Sequence, residues 1–324
     1  MRRLMILAIT AFASLLGTAS TSSSHDLKGM VMEQQDPTYQ AVSGALAATP
    51  YAEAETRSVL SNLVLWPAGT KLTICFVSGK PPLREKIAKA MQRQWEIGKL
   101  SNGQLTYDSK SFSDLPDCGN APTADIRVAF KPGNGHWSYV GTISRKYLPS
   151  MNFDGFEEAA PTGAEFDRIV GHELGHALGL EHEHQSPAAK CGWNYPYILE
   201  SYSWKSENEM RENLDALQDY IVKGKHAYSY LPVPDRKSMM HYWFEPDAFT
   251  DKTEDPCYIR RKNNLPSDLD EDAISIAYGP KLNANQELTR GLASKLMQKF
   301  SNDEFAIIRE LLNAKIELLK QKID

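Results

Sequence analysis

The chain has 324 residues, 42% hydrophobic and 24% charged, a balance that excludes wholesale disorder and suits one large domain or two smaller ones. Its 36 lysines and arginines against 41 acidic residues give a net charge of -5, which offers no broad electrostatic footing for nucleic acid. Four cysteines are too few for a disulfide-dense scaffold and enough for two bridges.

The first segment has the form of an export signal. Arg2 and Arg3 precede an apolar run from Leu4 to Leu16, and Gly17-Thr18-Ala19-Ser20 supplies small residues for cleavage. That run is shorter than the ~20 residues needed to span a bilayer as a helix, so residues 1–20 read as a signal peptide, with an uncleaved anchor as the alternative. No later segment is apolar enough to cross a membrane, which predicts a secreted product, extracellular or periplasmic, without stable membrane insertion. Residues 21–64 are rich in Ser, Ala, Thr and Gln and read as a pro-segment or N-terminal arm.

Export would place Cys75, Cys118, Cys191 and Cys257 in an oxidising compartment. Three connectivities are open to four cysteines. The pairs Cys75–Cys118 and Cys191–Cys257 are favoured because each lies on one side of the histidine motif described below.

The body alternates between strand and helix signals. Lys71 to Val77 predicts a buried strand after the turn Pro67-Ala68-Gly69, and Pro81 and Pro82 open a helix with Leu83, Ile87, Ala90, Met91 and Trp95 on one face. Asp125 to Phe130 predicts a second strand. His136 to Gly141 predicts an exposed edge strand with His136 at the surface, and Met151 to Phe153 completes the sheet. Further on, Leu292, Leu296 and Phe300 recur at helical spacing, and Ser301 and Glu304 stand three apart in a capping-box pattern. Residues 281–324 therefore read as a helical C-terminal tail.

Thr162 and Glu165 also have capping-box spacing, which predicts a helix from near Gly163. On it, Phe166, Val170, Leu174, Ala177 and Leu178 face the core, while His172 and His176 project from the other side, one turn apart. The string His172-Glu173-Leu174-Gly175-His176 is the HExxH pattern, in which two imidazoles converge on one zinc ion. Gly179 can adopt the left-handed conformation that ends a helix, so the chain can double back and present His182 as a third ligand. His184 is a competing donor, but the interval from Gly179 selects His182.

Zinc explains each residue type. Neutral imidazoles bind it at about 2.0–2.1 Å, and three protein ligands leave a position open for water, whose pKa falls to near 7. One catalytic Zn2+ is the expected cofactor. Glu173 lies beside the histidines as general base and acid and is not a ligand.

The longer string His172 to His182 resembles the signature of the metzincin metalloproteases. Ser238-Met239-Met240-His241-Tyr242 resembles their methionine turn in its astacin form, with Met240 as the turn methionine, Met239 as ordinary packing and His241 as a packing or hydrogen-bonding residue. The resemblance implies that Tyr242 is an extra zinc ligand that swings to stabilise the transition state, and Glu183 also matches an astacin feature. Leu269 to Tyr278 resembles the closing helix, so the likeness spans about Trp66 to Pro280. The stretch His184-Gln185-Ser186-Pro187 departs from it, lacking the arginines and aspartates common in animal astacins.

The fold implied is α+β, a metzincin-type zincin. It has a twisted, mostly parallel sheet, an active-site helix and an irregular C-terminal subdomain within a catalytic domain over residues 65–280. The activity implied is an endopeptidase that takes protein or peptide substrates along the edge strand. A competing class is a zinc-bound binding or adhesion protein that works through the tail. Glu173 speaks against it, because holding zinc alone does not need that carboxylate.

Overall fold

The computed structural model describes residues 58–279, apart from 203, 205, 220, 223–224 and 232–233. The expected signal peptide, the arm up to residue 57 and the helical tail lie outside the described residues. Ser58 to Ser61 are buried, and β1 (Leu60–Ser61) pairs antiparallel with a strand near residue 228. Side-chain contacts fix this entry: the Ser58 hydroxyl donates to Asp270 at 2.6 Å and the Val59 N–H donates to Glu183 at 3.1 Å.

Thr73 divides the next apolar segment. Its N–H and hydroxyl both donate to Asp125 Oδ2, at 2.9 and 3.0 Å, so the backbone leaves one ladder there and joins another. On one side β2 (Thr70–Leu72) pairs parallel with β4 (Leu105–Tyr107); on the other β3 (Ile74–Phe76) pairs parallel with β5 (Ile126–Ala129). The single strand expected over Lys71 to Val77 is thus two short strands in two sheets. The main sheet runs β3-β5-β7-β6, with β7 (Met151–Asn152) parallel to β5 and β6 (Trp137–Ser138) antiparallel on the edge.

Neither His136 nor the edge strand is exposed as expected: His136 to Gly141 are buried. Asp154 accepts N–H bonds from Gly133 and Gly135 at 2.8 and 2.7 Å and folds this loop inward. His136 is buried, its Nδ1 accepts the Asp154 N–H at 2.9 Å, and its ring stands edge-on to Phe156.

Helix α1 (Pro81–Gln94) starts at the proline pair and buries Ile87, Ala90 and Met91. It packs on α2 (Ala164–Ala177), and just beyond its end the Trp95 indole donates to Gly171 O of α2 at 2.8 Å. Each large apolar side chain buried here contributes about 1.5–3 kcal/mol. Gly163 is the N-cap of α2, with φ +61 and no side-chain cap. The expected capping box is not made, because the Glu165 carboxylate is taken by Arg168 at 2.9 Å and Lys262 at 3.1 Å.

A second core gathers Trp193, Met210, Phe244, Phe249 and Cys257, with α3 (Glu207–Leu214) contributing Met210 and Leu214. Helix α4 (Asp268–Tyr278) begins at a capping box of Ser267 and Asp270. Disulfides join Cys75 to Cys118 and Cys191 to Cys257, one in each region, as the sequence favours. They close 43- and 66-residue loops, for which chain entropy gives a stabilisation of about 4 kcal/mol each. Among the described residues, no helix is long and apolar enough to cross a membrane.

Candidate metal centre

Two local devices bring three imidazoles together. Helical spacing stacks His172 and His176 on one face of α2. Gly179, at φ +102, then turns the chain: the Leu180 N–H bonds back to Gly175 O at 3.0 Å, and the return strand delivers His182. A side chain at Gly179 would also meet Leu65 Cδ2 at 2.9 Å.

The three rings meet through their Nε2 atoms. His182 Nε2 lies 3.3 Å from His172 Nε2 and 3.0 Å from His176 Nε2. Each Nδ1 is held by an oxygen that can only accept: Met239 O at 2.9 Å from His172, Leu180 O at 2.8 Å from His176, and Gln185 Oε1 at 3.0 Å from His182. Each Nδ1 therefore carries a proton, which leaves each Nε2 as the ring's free donor atom when the imidazole is neutral. Burial, and then the neighbouring imidazoles, push His176 and His182 well below the usual histidine range, so both are neutral.

Three buried ring nitrogens that converge this closely form a site able to hold a cation. A tetrahedral ion with bonds of about 2.05 Å has nitrogen-to-nitrogen edges of about 3.3 Å, close to the observed separations. Among the described residues, only these three form a convergent group of metal-binding side chains. The donor set fits zinc.

Glu173 lies on α2 between the two histidines and is 5% exposed. The Tyr242 ring is 4.5 Å from the His182 ring, 5.6 Å from that of His172 and 4.7 Å from that of His184. His184 does not join the convergent group: its Nε2 donates to Asn213 O at 2.9 Å. Its pKa falls to about 3, through burial and then the neighbouring His241. His241 donates from Nδ1 to Tyr242 O at 2.8 Å.

The Met239–Tyr242 turn joins the two cores, since Met239 and Met240 belong to the first and Tyr242 to the second. Buried carboxylates hold it. Asp270 accepts the Ser238 hydroxyl at 2.7 Å and the Met239 N–H at 2.9 Å. Glu183 is fully buried and accepts the Asp235 N–H at 2.7 Å. Burial first, then the Asp235 carboxylate, push Glu183 well above the usual carboxylate range. Gln185, the polar partner of His182, carries no sequence signal, because its other contacts come from residues 212 and 215.

A small, mostly parallel sheet beside a histidine-bearing helix, with a methionine turn, is a metzincin-type zincin fold. The reprolysin-like metallo-peptidase family M12B matches residues 122–212. Zinc metalloproteinase nas-38 of Caenorhabditis elegans is 30% identical over 192 residues, 56% of this chain and 23% of the relative. Zinc metalloproteinase nas-12 of the same organism is 32% identical over 111 residues, 34% of this chain and 23% of the relative. The chain thus spans about a quarter of the length of these curated relatives. The structure of myroilysin superposes with a TM-score of 0.54 at 27% identity, covering 69% of this chain and 100% of that one. In fold and in the histidine motif the chain is thus similar to zinc metalloproteinases of the metzincin type.

Proposed function

We propose that the chain is an exported endopeptidase that hydrolyses peptide bonds in proteins with one zinc ion. The observation that carries this reading is the convergence of three imidazole nitrogens, 3.0–3.3 Å apart around His182, beside a buried glutamate. His172, His176 and His182 would hold the ion, with Tyr242 as an additional ligand. Bound zinc supplies a water with a pKa near 7 and polarises a carbonyl.

Glu173 takes a proton from the attacking water and returns it to the leaving amine. Its burial keeps the carboxylate away from bulk solvent, which strengthens its interaction with the reacting atoms. The Tyr242 hydroxyl donates to the oxyanion that develops on the scissile carbonyl. Export rests on Arg2, Arg3 and the apolar run Leu4 to Leu16, and the two disulfides accord with it. Residues 1–20 are then the signal peptide, 21–64 the pro-segment or arm, 65–280 the catalytic domain and 281–324 the tail.

The reading is tested by incubating the secreted protein with a reduced, unfolded protein and mapping new termini by mass spectrometry. Internal cleavages that a zinc chelator abolishes, and added zinc restores, are expected. Absence of cleavage by the zinc-loaded chain sinks the reading.

A further inference from the structure

The last carbonyls of α3 are capped from one short segment of the chain. Glu212 O accepts from Gln185 Nε2 at 2.9 Å, Asn213 O from His184 Nε2 at 2.9 Å, and Leu214 O from Trp193 Nε1 at 3.0 Å. Asp215 O, one residue on, also accepts from Gln185 Nε2, at 3.3 Å. A helix end leaves its final carbonyls without donors, and here the residues that follow His182 provide them.

This contact decides which way the Gln185 amide points. Gln185 is 4% exposed, so water does not replace these partners. Its Nε2 must face the two carbonyls, and Oε1 then faces His182. His182 Nδ1 lies 3.0 Å from Oε1 and donates to it, which leaves the Nε2 lone pair turned toward His172 and His176. His172 and His176 are oriented by backbone carbonyls, whereas the His182 acceptor is a side chain.

We infer that Gln185 is a positioning residue for the metal centre: anchored on the C-terminal end of α3, it sets the tautomer and ring orientation of His182. The inference rests on the reading of His172, His176 and His182 as zinc ligands. Partners of this kind change metal affinity by about 10–100-fold when removed.

Two substitutions separate positioning from simple support of the fold. Gln185→Met removes the acceptor for His182 and the donor to α3. Gln185→Glu removes only the donor, because a carboxylate still accepts from His182 Nδ1. The full secreted chain, stripped of metal, is titrated with zinc against a chromophoric chelator, and the melting temperature of each metal-free protein is recorded beside it. Both variants should melt lower than wild type. Gln185→Met should raise the zinc Kd about tenfold or more, while Gln185→Glu stays within about threefold of wild type. Equal weakening in both variants, or wild-type affinity in Gln185→Met, overturns the inference. Failure of wild type itself to bind zinc overturns the ligand reading instead, and this inference with it.

Discussion

The Met240 thioether lies directly under Gly175, the glycine inside the HExxH motif. A Cβ placed on Gly175 would come within 2.5 Å of Met240 Sδ and 3.4 Å of Trp95 Cζ2. One turn earlier, a Cβ on Gly171 would meet Met239 Cε at 2.9 Å and Gln94 Cβ at 3.1 Å. The two methionines of the turn thus rest on two glycines of the histidine-bearing helix, and the pairing brings the turn close to the imidazoles.

Gly175→Ala should therefore destabilise the protein although alanine favours helix. Helix propensity gives back up to about 1 kcal/mol, and the overlap with a fully buried sulfur costs about 1–3 kcal/mol. A urea midpoint lower than wild type is expected, against a change within about 0.5 kcal/mol for Gly119→Ala, where a Cβ meets nothing within 4 Å. An unchanged midpoint for Gly175→Ala would show that the turn does not rest on this glycine.

Tyr242→Phe keeps the ring contacts with His182 and His184 and removes only the hydroxyl. Turnover should fall about 100-fold, the cost of losing one donor to an oxyanion, while zinc content stays at the wild-type level. The check is kcat on a peptide substrate with metal analysis of the same samples. Wild-type kcat at full zinc content would remove the hydroxyl from the chemistry.

Asp235 predicts a pH dependence of stability. Burial, and then the nearby Asp270 carboxylate, raise its pKa from 3.8 to about 6. Between those values the folded state holds a proton that the unfolded state has released, so stability falls as pH rises through the window and levels off above about 6. Asp235→Asn cannot ionise and should flatten this slope, gaining on wild type by order 1–3 kcal/mol at pH 7 relative to pH 4. Denaturant midpoints measured from pH 4 to 7 test it; parallel curves for the two proteins would contradict it.

The three-histidine cluster was legible where its determinants are local. His172 and His176 are four apart on one helix, Gly179 needs a positive φ, and His182 follows three residues later, so spacing alone assembles the group. The disulfide pairs were legible because four cysteines split evenly around that motif. What escaped depends on residues distant in sequence. The Thr162–Glu165 cap failed because Lys262, 97 residues away, and Arg168 hold the glutamate. Lys71 to Val77 broke in two because Asp125 captures the Thr73 N–H. His136 turned inward because Asp154, 18 residues on, gathers its loop. Gln185 gave no sign because its anchoring carbonyls lie 27 and 30 residues further along the chain. Local periodicity reports none of these tertiary hydrogen bonds.

The central claim is that Glu173 moves the proton in a zinc-dependent hydrolysis and is not needed to hold the metal. The most direct measurement is the hydrolysis rate of an internally quenched peptide by zinc-loaded wild type and Glu173→Gln, with zinc per chain determined on the same samples. Equal zinc content in both, with the variant slower by about 100- to 10,000-fold, is the predicted result. Equal rates at equal zinc content would contradict the account.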